Sequence, residues 1–373
     1  EVDLLRSYGH HVVPFTRRST DISTITSLST AAGAVWNRPV ARELAALVER
    51  EGADIVHFHN WLPRISLAAP VAARAAGSAI VQSLQNYRFV CPKGTLFRDG
   101  RICEDCLDTR TLWPAIRHGC YRDSRMASAV VSAALVTHRA RRTVADAIDA
   151  YVAASQFTAS RLGEALLPPD RIHVKPNFLA SDPGQGAGDG GYAMYLGRLS
   201  PEKGVSTLLG AWNALDDPPP LTIAGTGPLE SQVRHAAERS PRIEYLGFAD
   251  DEEVDRIMKD AAYLVLPSVN YEGFPKTIVE AFARGTPVLA SRLGAMKEAI
   301  EDGVTGRHFT AGDDGDLAAV VRELQNDTAA AGAMREPARA AYLDRYTPDR
   351  NYAIMMEIYR SARLRRATRE LEV

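Results

Sequence analysis

The sequence predicts an α/β protein with two doubly wound parallel sheets, one in each of two domains that face each other across a cleft. Short apolar runs of strand length alternate with segments whose apolar residues recur at helical spacing, which is typical of parallel sheets covered on both faces. At 373 residues the chain is long for a single hydrophobic core. A glycine-rich stretch at 179–191 has the composition of a flexible hinge linker and separates the two predicted domains.

Composition excludes several classes of protein. With 46% hydrophobic residues and a formal charge of −2, the chain is typical of globular proteins, and its charge gives no reason to expect nucleic acid as a partner. No apolar run approaches the roughly 20 residues that span a bilayer. The N-terminus has no basic-then-apolar signal segment, so we expect a cytoplasmic protein.

The first predicted domain spans residues 1–178 and alternates helices with strands. It opens on a helical pattern before Gly9, and later apolar runs have the length of buried strands. The predicted strands lie at 11–15, 55–59, 80–84 and 150–155, and the predicted helices include 39–50 and an alanine-rich segment that ends near residue 77.

Polar side chains follow two strands of this domain. His59 and Asn60 come at the end of one strand, and Gln85, Asn86 and Arg88 follow the next. The carboxyl ends of parallel strands border the ligand crevice of an open sheet, so these residues are candidates for binding a substrate. The alternative is structural, because Asn often caps helices and a buried His can be satisfied by backbone groups.

All four cysteines of the chain fall within residues 91–120, as Cys91, Cys103, Cys106 and Cys120. In a reducing compartment, four clustered thiols favour tetrahedral zinc over disulfides. Such a zinc ion would be structural, because four sulfur ligands leave the metal no open position. The outer spacings are irregular, so free buried thiols and a redox pair are the alternatives.

A basic segment follows the cysteines. Arg122 and Arg125 lead into an apolar stretch that ends in a basic run at 138–142. A helix with a solvated basic face explains this composition. The alternative is a peripheral contact with an anionic membrane surface, which a basic amphipathic helix can make.

The second predicted domain spans residues 192–345. After a strand at 192–196, the segment GRLSPEKG at 197–204 turns into a helix with Ser200 as its cap and Pro201 as its first residue. The planar guanidinium of Arg198 holds several hydrogen-bond donors in a fixed geometry, and the ammonium group of Lys203 is a mobile point charge. This combination suits the two phosphates of a diphosphate. Two ordinary surface cations are the alternative.

The stretch YEGFPKTIVEAFARGTPVLA at 271–290 organises this domain. Apolar runs on either side predict two buried strands, with a helix between them that starts near Pro275. A loop between a parallel strand and a helix N-terminus binds ligands, and its free amides suit phosphate. Glu272 and Glu280 would accept hydrogen bonds from hydroxyl groups, as a sugar and a ribose present them. These residues predict a site for a sugar nucleotide.

These motifs resemble those of the retaining, nucleotide-sugar-dependent glycosyltransferases with the GT-B fold (family 4-like, group 1), a class with many enzymes of polysaccharide biosynthesis. The glutamate pair with Gly273-Phe274-Pro275 between its members is one motif, and GRLSPEKG at 197–204 is the other. The resemblance covers most of the chain. It implies two Rossmann-like domains, with residues 346–373 forming a helix that crosses back to the first. Such enzymes normally begin with a strand and a glycine-rich loop, which are missing from this sequence.

The resemblance also implies roles for individual residues. Arg198, Lys203 and Glu272 would be catalytic, by stabilising the leaving diphosphate and holding the sugar. The acceptor would contact His59, Asn60, Gln85, Asn86 and Arg88; relatives often carry His at position 85, and this difference bears on sugar specificity. The donor would contact Gly197, Gly225, Phe248, Gly273, Phe274, Pro275, Lys276, Thr277 and Glu280.

The predicted reaction is transfer of a sugar from a UDP- or GDP-sugar to a glycan or lipid-linked glycan, with retention of configuration. Catalysis would need no cofactor or metal, since the cations replace a divalent ion and the cleft motifs contain no Asp-x-Asp triplet. A sugar-phosphate synthase, a donor-hydrolysing epimerase and an inactive binding protein are the alternatives. A nicotinamide-dependent oxidoreductase is disfavoured, because the sequence after Gly225-Thr226-Gly227 lacks the third glycine of that fingerprint.

Overall fold

The computed structural model describes residues 1–17, 33, 35–61, 65–107, 109 and 111–371. Contacts between Cα atoms divide the chain into two compact units. The first comprises Glu1–Arg98, Cys103–Lys175 and Tyr352–Val373, and the second comprises Asp99–Ile102 and Pro176–Asn351. The chain therefore changes unit at residue 175, near the predicted boundary at 178, and returns at residue 352 instead of 346.

A parallel sheet of four strands forms the centre of the first unit, in the order β1-β2-β5-β6. Ser124 and Ser155 cap α5 and α7, each by accepting a hydrogen bond from the amide three residues later. The strands of this sheet are β1 (Ile55–Phe58), β2 (Ala79–Leu84), β5 (Ala150–Ala153) and β6 (Ile172–Val174). The short β3 (Phe97–Arg98) also belongs to the first unit, whereas the short β4 (Arg101–Ile102) falls in the segment 99–102 of the second. The helices are α1 (Val2–Ser7), α2 (Arg38–Glu51), α3 (Ala68–Ala75), α4 (Trp113–Arg117), α5 (Arg125–Ala140), α6 (Thr143–Ala147) and α7 (Gln156–Ala165).

The last helix of the chain, α16 (Pro348–Leu371), covers one face of this sheet. Its residues Ile358 and Ala362 are buried in one cluster with Ala79, Val81, Ala150 and Val152. Ile358 and Ala362 are four positions apart and therefore lie on the same face of the helix. The apolar spacing of the final segment is thus explained by its packing on β2 and β5.

The strand predicted at residues 11–15 is wrong, since these residues adopt no regular structure. They form no ladder with a neighbouring strand, and Pro14 has no N–H to contribute to one. Within the described residues β1 pairs only with β2 and is an edge strand. An apolar groove of about 1230 Å³ lies beside β1, lined by residues 10–17 and by Leu44, Val48 and Tyr359 among others.

The basic run at 138–142 is only partly at the surface. His138 is buried, and its Nε2 lies 2.9 Å from the carbonyl oxygen of Val35. The Arg139 guanidinium donates to the carbonyl oxygens of Phe89 (3.0 Å) and Thr109 (3.2 Å). Of its basic side chains, Arg141 and Arg142 are exposed, and Arg139 is half-buried. A solvated basic face therefore describes only part of this run, because His138 and Arg139 contact carbonyl groups of the same unit and burial lowers the pKa of His138.

A six-stranded parallel sheet in the order β12-β11-β10-β7-β8-β9 forms the second unit. Its strands are buried along most of their length, as expected for a sheet covered on both faces. The strands are β7 (Ala193–Leu196), β8 (Leu221–Ala224), β9 (Ile243–Gly247), β10 (Tyr263–Leu266), β11 (Val288–Ser291) and β12 (Gly306–Phe309). The helices are α8 (Val205–Asn213), α9 (Glu230–Arg239), α10 (Asp251–Asp260), α11 (Lys276–Ala283), α12 (Gly294–Ala299), α13 (Asp314–Asn326), α14 (Thr328–Ala333) and α15 (Arg335–Arg345).

The glycine-rich segment before β7 is tied to the second unit instead of being flexible along its length. The amides of Gly186, Gly188 and Gly190 donate to carbonyl oxygens of Arg284, Lys259 and Asp260 at 2.9–3.0 Å. A Cβ added at Gly186 would lie 2.3 Å from the Lys259 carbonyl oxygen. The glycines therefore allow close backbone approach, a role that composition cannot distinguish from flexibility. The hinge itself stays a prediction.

No helix in the described ranges is both long enough and apolar enough to cross a bilayer.

Candidate functional site

The order of the strands in the second sheet places a crevice between β7 and β10. The chain runs outward from β7 through β8 to β9, then returns to β10 on the other side of β7 and runs outward to β12. All six strands are parallel, so the loops after β7 and β10 leave the same edge in opposite directions. This is the switch point at which open α/β sheets bind ligands.

Two glycines allow the loops at this edge to approach each other. Gly204 has φ +71°, and a Cβ there would lie 1.8 Å from the carbonyl oxygen of Pro267, directly after β10. Gly225 has φ +139°, and its Cβ would lie 1.9 Å from the carbonyl oxygen of Gly197. The amide of Val269 also donates to the carbonyl oxygen of Glu202 at 2.9 Å. The loops after β7, β8 and β10 therefore form one framework.

Segment 197–204 does not start the helix as predicted. A single 3-10 turn at Pro201–Lys203 precedes α8, and the left-handed Gly204 separates the two. The hydroxyl of Ser200 donates to Glu202 Oε1 at 2.7 Å instead of capping a helix. The close approach to Pro267 imposes this break, and the turn directs Lys203 towards the loop that follows β10.

An ion pair joins the two loops across the switch point. Lys203 Nζ lies 2.6 Å from Glu272 Oε1, which also accepts a hydrogen bond from the Ser268 hydroxyl at 2.9 Å. The two side chains are 31% and 14% exposed, so both charges are largely removed from bulk water but open on one side. The structure thus brings together two of the residues that the sequence predicted to be catalytic.

Arg198 presents a free guanidinium at the same edge. Its side chain is exposed and forms no ion pair or hydrogen bond within the described ranges. Its backbone is held in place, because the buried Tyr195 hydroxyl donates to the Arg198 carbonyl oxygen at 2.9 Å. Burial raises the pKa of Tyr195, so this hydroxyl keeps its proton at neutral pH. Because the backbone of Arg198 is held in place and its guanidinium has no partner in the described ranges, the guanidinium can bind an anion with two hydrogen bonds.

Helix α11 begins at this edge with unused backbone donors. Pro275 is its N-cap and not its first residue as predicted, and the amides of Lys276 and Thr277 donate no hydrogen bond within the described residues. These donors and the helix dipole favour a bound anion. Inside the helix, Glu280 forms an ion pair of 3.2 Å with Lys276, whose side chain is mostly exposed.

Phe274 contributes to this site only through its backbone. Its ring is buried at a centroid distance of 5.7 Å from Tyr346, and its carbonyl oxygen accepts a hydrogen bond of 2.8 Å from Asn177 Nδ2. The ring therefore anchors the loop after β10 and does not face a ligand. Gly273 precedes it in the same loop.

The end of β9 carries an exposed aromatic ring. Phe248 is 80% exposed, directly after Gly247, whose carbonyl oxygen accepts a hydrogen bond of 2.7 Å from the amide of Gly225. The candidate residues Gly197, Gly225 and Phe248 therefore follow the ends of β7, β8 and β9. An exposed ring at the carboxyl edge of a parallel sheet can stack on a flat ligand group.

In the first unit, the ends of β1 and β2 bring His59 and Gln85 together. Gln85 Nε2 lies 3.3 Å from His59 Nδ1, and both side chains are exposed. The His59 ring stacks on that of His57 with 4.5 Å between centroids. Burial lowers the pKa of His59. Asn60 lies beside His59 and is not the N-cap of α3, which is Leu67.

His57 supports this group from inside the first unit. Its Nδ1 lies 2.9 Å from the Tyr359 hydroxyl and its Nε2 lies 2.9 Å from the Ser83 hydroxyl. Burial, followed by the neighbouring His59, lowers the pKa of His57 to about 3. His57 is therefore neutral at physiological pH.

The Arg88 side chain contacts the segment that carries the four cysteines (91–120) instead of projecting from the end of β2. Its guanidinium donates to the Pro92 carbonyl oxygen at 3.2 Å and lies 5.5 Å from the centre of the Tyr121 ring. Asn86 forms a local turn, in which its Oδ1 accepts a hydrogen bond of 3.0 Å from the Arg88 amide. Of the five predicted acceptor residues, these two have structural contacts that the sequence did not reveal.

The four cysteines line a single small cavity in the first unit, with a volume of about 20 Å³. None forms a disulfide, and Cys91 and Cys106 are buried. Burial, with a smaller effect of the other thiols, raises the pKa of Cys106 to about 11. Lys93 and Arg98 also line this cavity.

Comparison with known proteins identifies the family. Residues 3–177 match the family model described as Glycosyl transferase 4-like domain, and residues 191–327 match the one described as Glycosyl transferases group 1. The chain belongs to the group 1 glycosyltransferases. The two matches together span most of its length and correspond largely to its two units.

The curated relatives of this glycosyltransferase align over part of their length. A glycogen synthase of Mycobacterium tuberculosis (strain ATCC 25618 / H37Rv) is 37% identical over 156 residues, which are 40% of this chain and 36% of that protein. A phosphatidyl-myo-inositol mannosyltransferase of Mycobacterium leprae is 38% identical over 140 residues, which are 36% of this chain and 37% of that protein. The chain thus spans little more than a third of the length of these relatives.

Solved structures confirm the GT-B fold of this glycosyltransferase. The crystal structure of HepE from Anabaena in complex with UDP superposes with a TM-score of 0.64 at 17% identity, covering 87% of this chain and 82% of that one. A structure of the same protein with UDP-glucose gives a TM-score of 0.61 at 18% identity, covering 86% and 82%. At this level of identity the likeness concerns the fold.

Sequence reasoning missed several supporting residues of the glycosyltransferase. Ser268 is the second residue after β10, and a polar residue so close to the end of a buried strand is a signal in the sequence. Asn177 and Tyr195 carried no such signal, because their partners are backbone carbonyls at distant or irregular positions. His57 and Tyr359 are about 300 residues apart in the chain, so only the folded unit reveals their contact.

Proposed function

We propose that this glycosyltransferase transfers a sugar from a nucleoside diphosphate sugar, bound by the second unit, to an acceptor hydroxyl. The observation that carries the proposal is the arrangement at the switch point of the second sheet. There, the Lys203–Glu272 ion pair of 2.6 Å lies on the same crevice as the free guanidinium of Arg198. Cations for a diphosphate and a carboxylate for hydroxyl groups are what such a donor needs.

Each residue of the crevice has a role in this proposal. Arg198, Lys203 and the amides at the start of α11 bind the diphosphate, whose negative charge grows as it leaves. Glu272 accepts hydrogen bonds from sugar hydroxyls, and Glu280 accepts them from the ribose. Phe248 stacks on the base or covers it. Lys203 would then be shared between Glu272 and the phosphates, which keeps it oriented before the donor binds.

We propose that the configuration at the anomeric carbon is retained and that no metal takes part. The bond between the anomeric carbon and the diphosphate oxygen breaks, a bond from the same carbon to the acceptor oxygen forms on the same face, and the acceptor proton passes to the departing phosphate. The cations of the second unit take the role of a divalent ion. Glu272 already accepts from Lys203 and Ser268, which favours a binding role for this carboxylate over that of a nucleophile.

For the donor, we propose a UDP-sugar first and a GDP-sugar second. HepE, which shares the fold, has been solved with UDP and with UDP-glucose, and this supports UDP as the first nucleotide to test. The relative from Mycobacterium leprae is named a mannosyltransferase, and this keeps GDP-sugars in the panel.

For the acceptor, we propose a glycan or a lipid-linked glycan of a cell-surface polysaccharide or glycolipid. His59, Asn60 and Gln85 in the first unit would bind its hydroxyls. A relative named for action on phosphatidyl-myo-inositol supports a lipid-linked acceptor.

We further propose a peripheral contact with the cytoplasmic face of a membrane. Trp113 on α4 is 62% exposed and Met126 on α5 is 74% exposed, and these two helices pack against each other. Arg117, Arg122 and Arg125 are exposed on or beside the same helices. Exposed apolar side chains with nearby arginines suit the headgroup region of an anionic bilayer. Flotation with anionic and neutral vesicles, comparing the wild type with Trp113→Ser, tests this contact.

The experiment for the donor site measures thermal stability with UDP, GDP, ADP and their sugars. A nucleotide at 100 times its dissociation constant stabilises the folded state by about 2.7 kcal/mol, which gives a readily measured shift. We expect UDP or GDP to raise the melting temperature of the wild type, and Arg198→Ala and Glu280→Ala to remove most of the shift. Arg322→Ala is the matched control, because this exposed arginine lies on α13 away from the crevice loops.

Product analysis then separates the functions. Transfer of sugar to an added glycan or lipid acceptor supports the proposal, whereas release of free sugar without transfer supports a donor-hydrolysing enzyme. A protein that is folded, as judged by circular dichroism, but shows no shift with any nucleotide would overturn the donor-site assignment.

A further inference from the structure

We propose that Cys91, Cys103, Cys106 and Cys120 bind one structural zinc ion. The four residues come from three separate places in a region of 30 residues, yet all line the same cavity in the folded chain. They are the only cysteines of the protein, and none is engaged in a disulfide. Four thiols around one small cavity are the donor set of a closed zinc site.

The size of the cavity fits a single ion. Its volume of about 20 Å³ has room for about one water-sized sphere. The four sulfur atoms are further apart than in a site that holds zinc. Among the described residues, no three of these sulfur atoms all lie within 4.8 Å of one another. Zinc–sulfur bonds of about 2.3 Å in a tetrahedron require sulfurs about 3.8 Å apart. Binding therefore draws the four side chains inward.

Tight turns of the backbone direct the cysteines to this cavity. In the segment Cys91-Pro92-Lys93-Gly94, the amide of Gly94 donates to the Cys91 carbonyl oxygen at 2.8 Å, and Gly94 has φ +83°. The amide of Cys103 donates to the Leu96 carbonyl oxygen at 2.9 Å, and this hydrogen bond brings Cys103 and Cys106 back beside Cys91. Cys120 follows α4, and its amide donates to the carbonyl oxygen of Ala115, another residue of the cavity wall.

The charges around the cavity match a loaded site. Zinc with four thiolates carries a net charge of −2, because four thiols release four protons on binding. Lys93 and Arg98 line the cavity, and the Arg139 guanidinium lies within electrostatic range of Cys106. Arg98 also pairs with Asp105 at 3.1 Å, and the cations beside the cavity can balance part of the charge of an anionic cluster.

The region also has the features of a segment that needs a cross-link. Between residues 91 and 120, with 108 and 110 outside the description, it contains two strands of two residues and one helix of five. Leu96, Asp99 and Leu112 have φ values of +49°, +51° and +55°, which are unfavourable for residues with a side chain. A zinc ion that joins three points of this region would fix it and, through Arg88 and Arg139, the backbone after β2.

The test is the metal content of the full chain, purified without chelators under reducing conditions. We expect one zinc per chain by elemental analysis, and its release when four thiols are modified. Cobalt added to the apoprotein should give the intense visible absorption and charge-transfer bands of a tetrahedral tetrathiolate site. Cys106→Ser should lose zinc, whereas Arg101→Ala, which changes an exposed residue of the same region, should keep it.

Metal content and donor binding are measured separately, so this inference can fail without affecting the proposed function. Four freely reactive thiols with no bound zinc, or two disulfides in the native protein, would overturn it. If Cys106→Ser does not fold, the cobalt spectrum and the thiol titration of the wild-type chain still decide the question.

Discussion

Replacing Lys203 with methionine tests the central feature of the candidate site, the contact between the loops after β7 and β10. The change removes the charge but keeps most of the side-chain length. Lys203 Nζ is 2.6 Å from Glu272 Oε1, and Glu272, at 14% exposure, keeps the Ser268 hydroxyl as a partner after the change. Because the pair is partly open to water, we expect a loss of only about 1 kcal/mol in the free energy of unfolding.

The effect on the donor should be larger than the effect on stability. A hydrogen bond to a charged group contributes about 1.5–3 kcal/mol, so losing one to the diphosphate lowers nucleotide affinity by about 10- to 150-fold. Removing a donor that stabilises the leaving group lowers kcat by a further factor of about 100–1000. Isothermal titration with the nucleoside diphosphate and steady-state turnover measure the two effects. Lys297→Met, a change at an exposed lysine of the same unit, is the control.

A second variant separates the two partners. Glu272→Gln should leave the affinity for the nucleoside diphosphate nearly unchanged and weaken the binding of the complete nucleotide sugar, because the carboxylate is assigned to sugar hydroxyls. In a double-mutant cycle the two changes should be non-additive, since the residues are in contact. Unchanged nucleotide affinity and unchanged kcat in Lys203→Met would refute the reasoning.

Two further predictions concern the fold. Gly204→Ala should destabilise the protein by more than about 2 kcal/mol, because its Cβ would lie 1.8 Å from the Pro267 carbonyl oxygen. The control Gly303→Ala should cost about 1 kcal/mol, because Gly303 has φ +77° but no atom within 4 Å of the added Cβ. Equal melting temperatures of the two variants would contradict this prediction. Below pH 6.5 the free energy of unfolding should fall by up to about 1.4 kcal/mol per pH unit, because the unfolded chain protonates His57 while burial holds the folded pKa at about 3. Urea denaturation between pH 7 and 4.5 measures this slope, and His57→Gln should reduce it.

Most of the second unit could be predicted from the sequence. Strands β7, β8, β10 and β11 are almost wholly buried and mostly apolar, so composition reveals them, whereas β9 contains the exposed Glu244 and β12 contains Arg307 and His308. The general rule for parallel sheets predicts a ligand site at the loop of Glu272, and the charge and motif of Arg198 and Lys203 indicate a site for a diphosphate. Helix α8 buries Val205, Leu208, Leu209 and Trp212, which recur at helical spacing in the sequence, although Gly204 delays its start.

The first unit was harder to predict because its elements depend on distant partners. Residues 11–15 have the composition of a strand, but a strand exists only where a neighbour completes its hydrogen bonds. Arg88, His138 and Arg139 look like surface cations in the sequence, yet their bonds go to the carbonyl oxygens of Pro92, Val35, Phe89 and Thr109. Such bonds depend on backbone groups, which are the same in every residue and leave no trace in the sequence.

The sequence by itself determined the class of fold, the family and the types of side chain available for a sugar nucleotide, because these follow from periodicity and from motifs local to one strand end. Only the tertiary structure decided which of these side chains meet. Lys203 contacts Glu272, 69 residues away, because β7 and β10 are neighbours at the switch point and Gly204 lets their loops touch. The same holds for the four cysteines, whose convergence on one cavity depends on turns that their spacing does not encode.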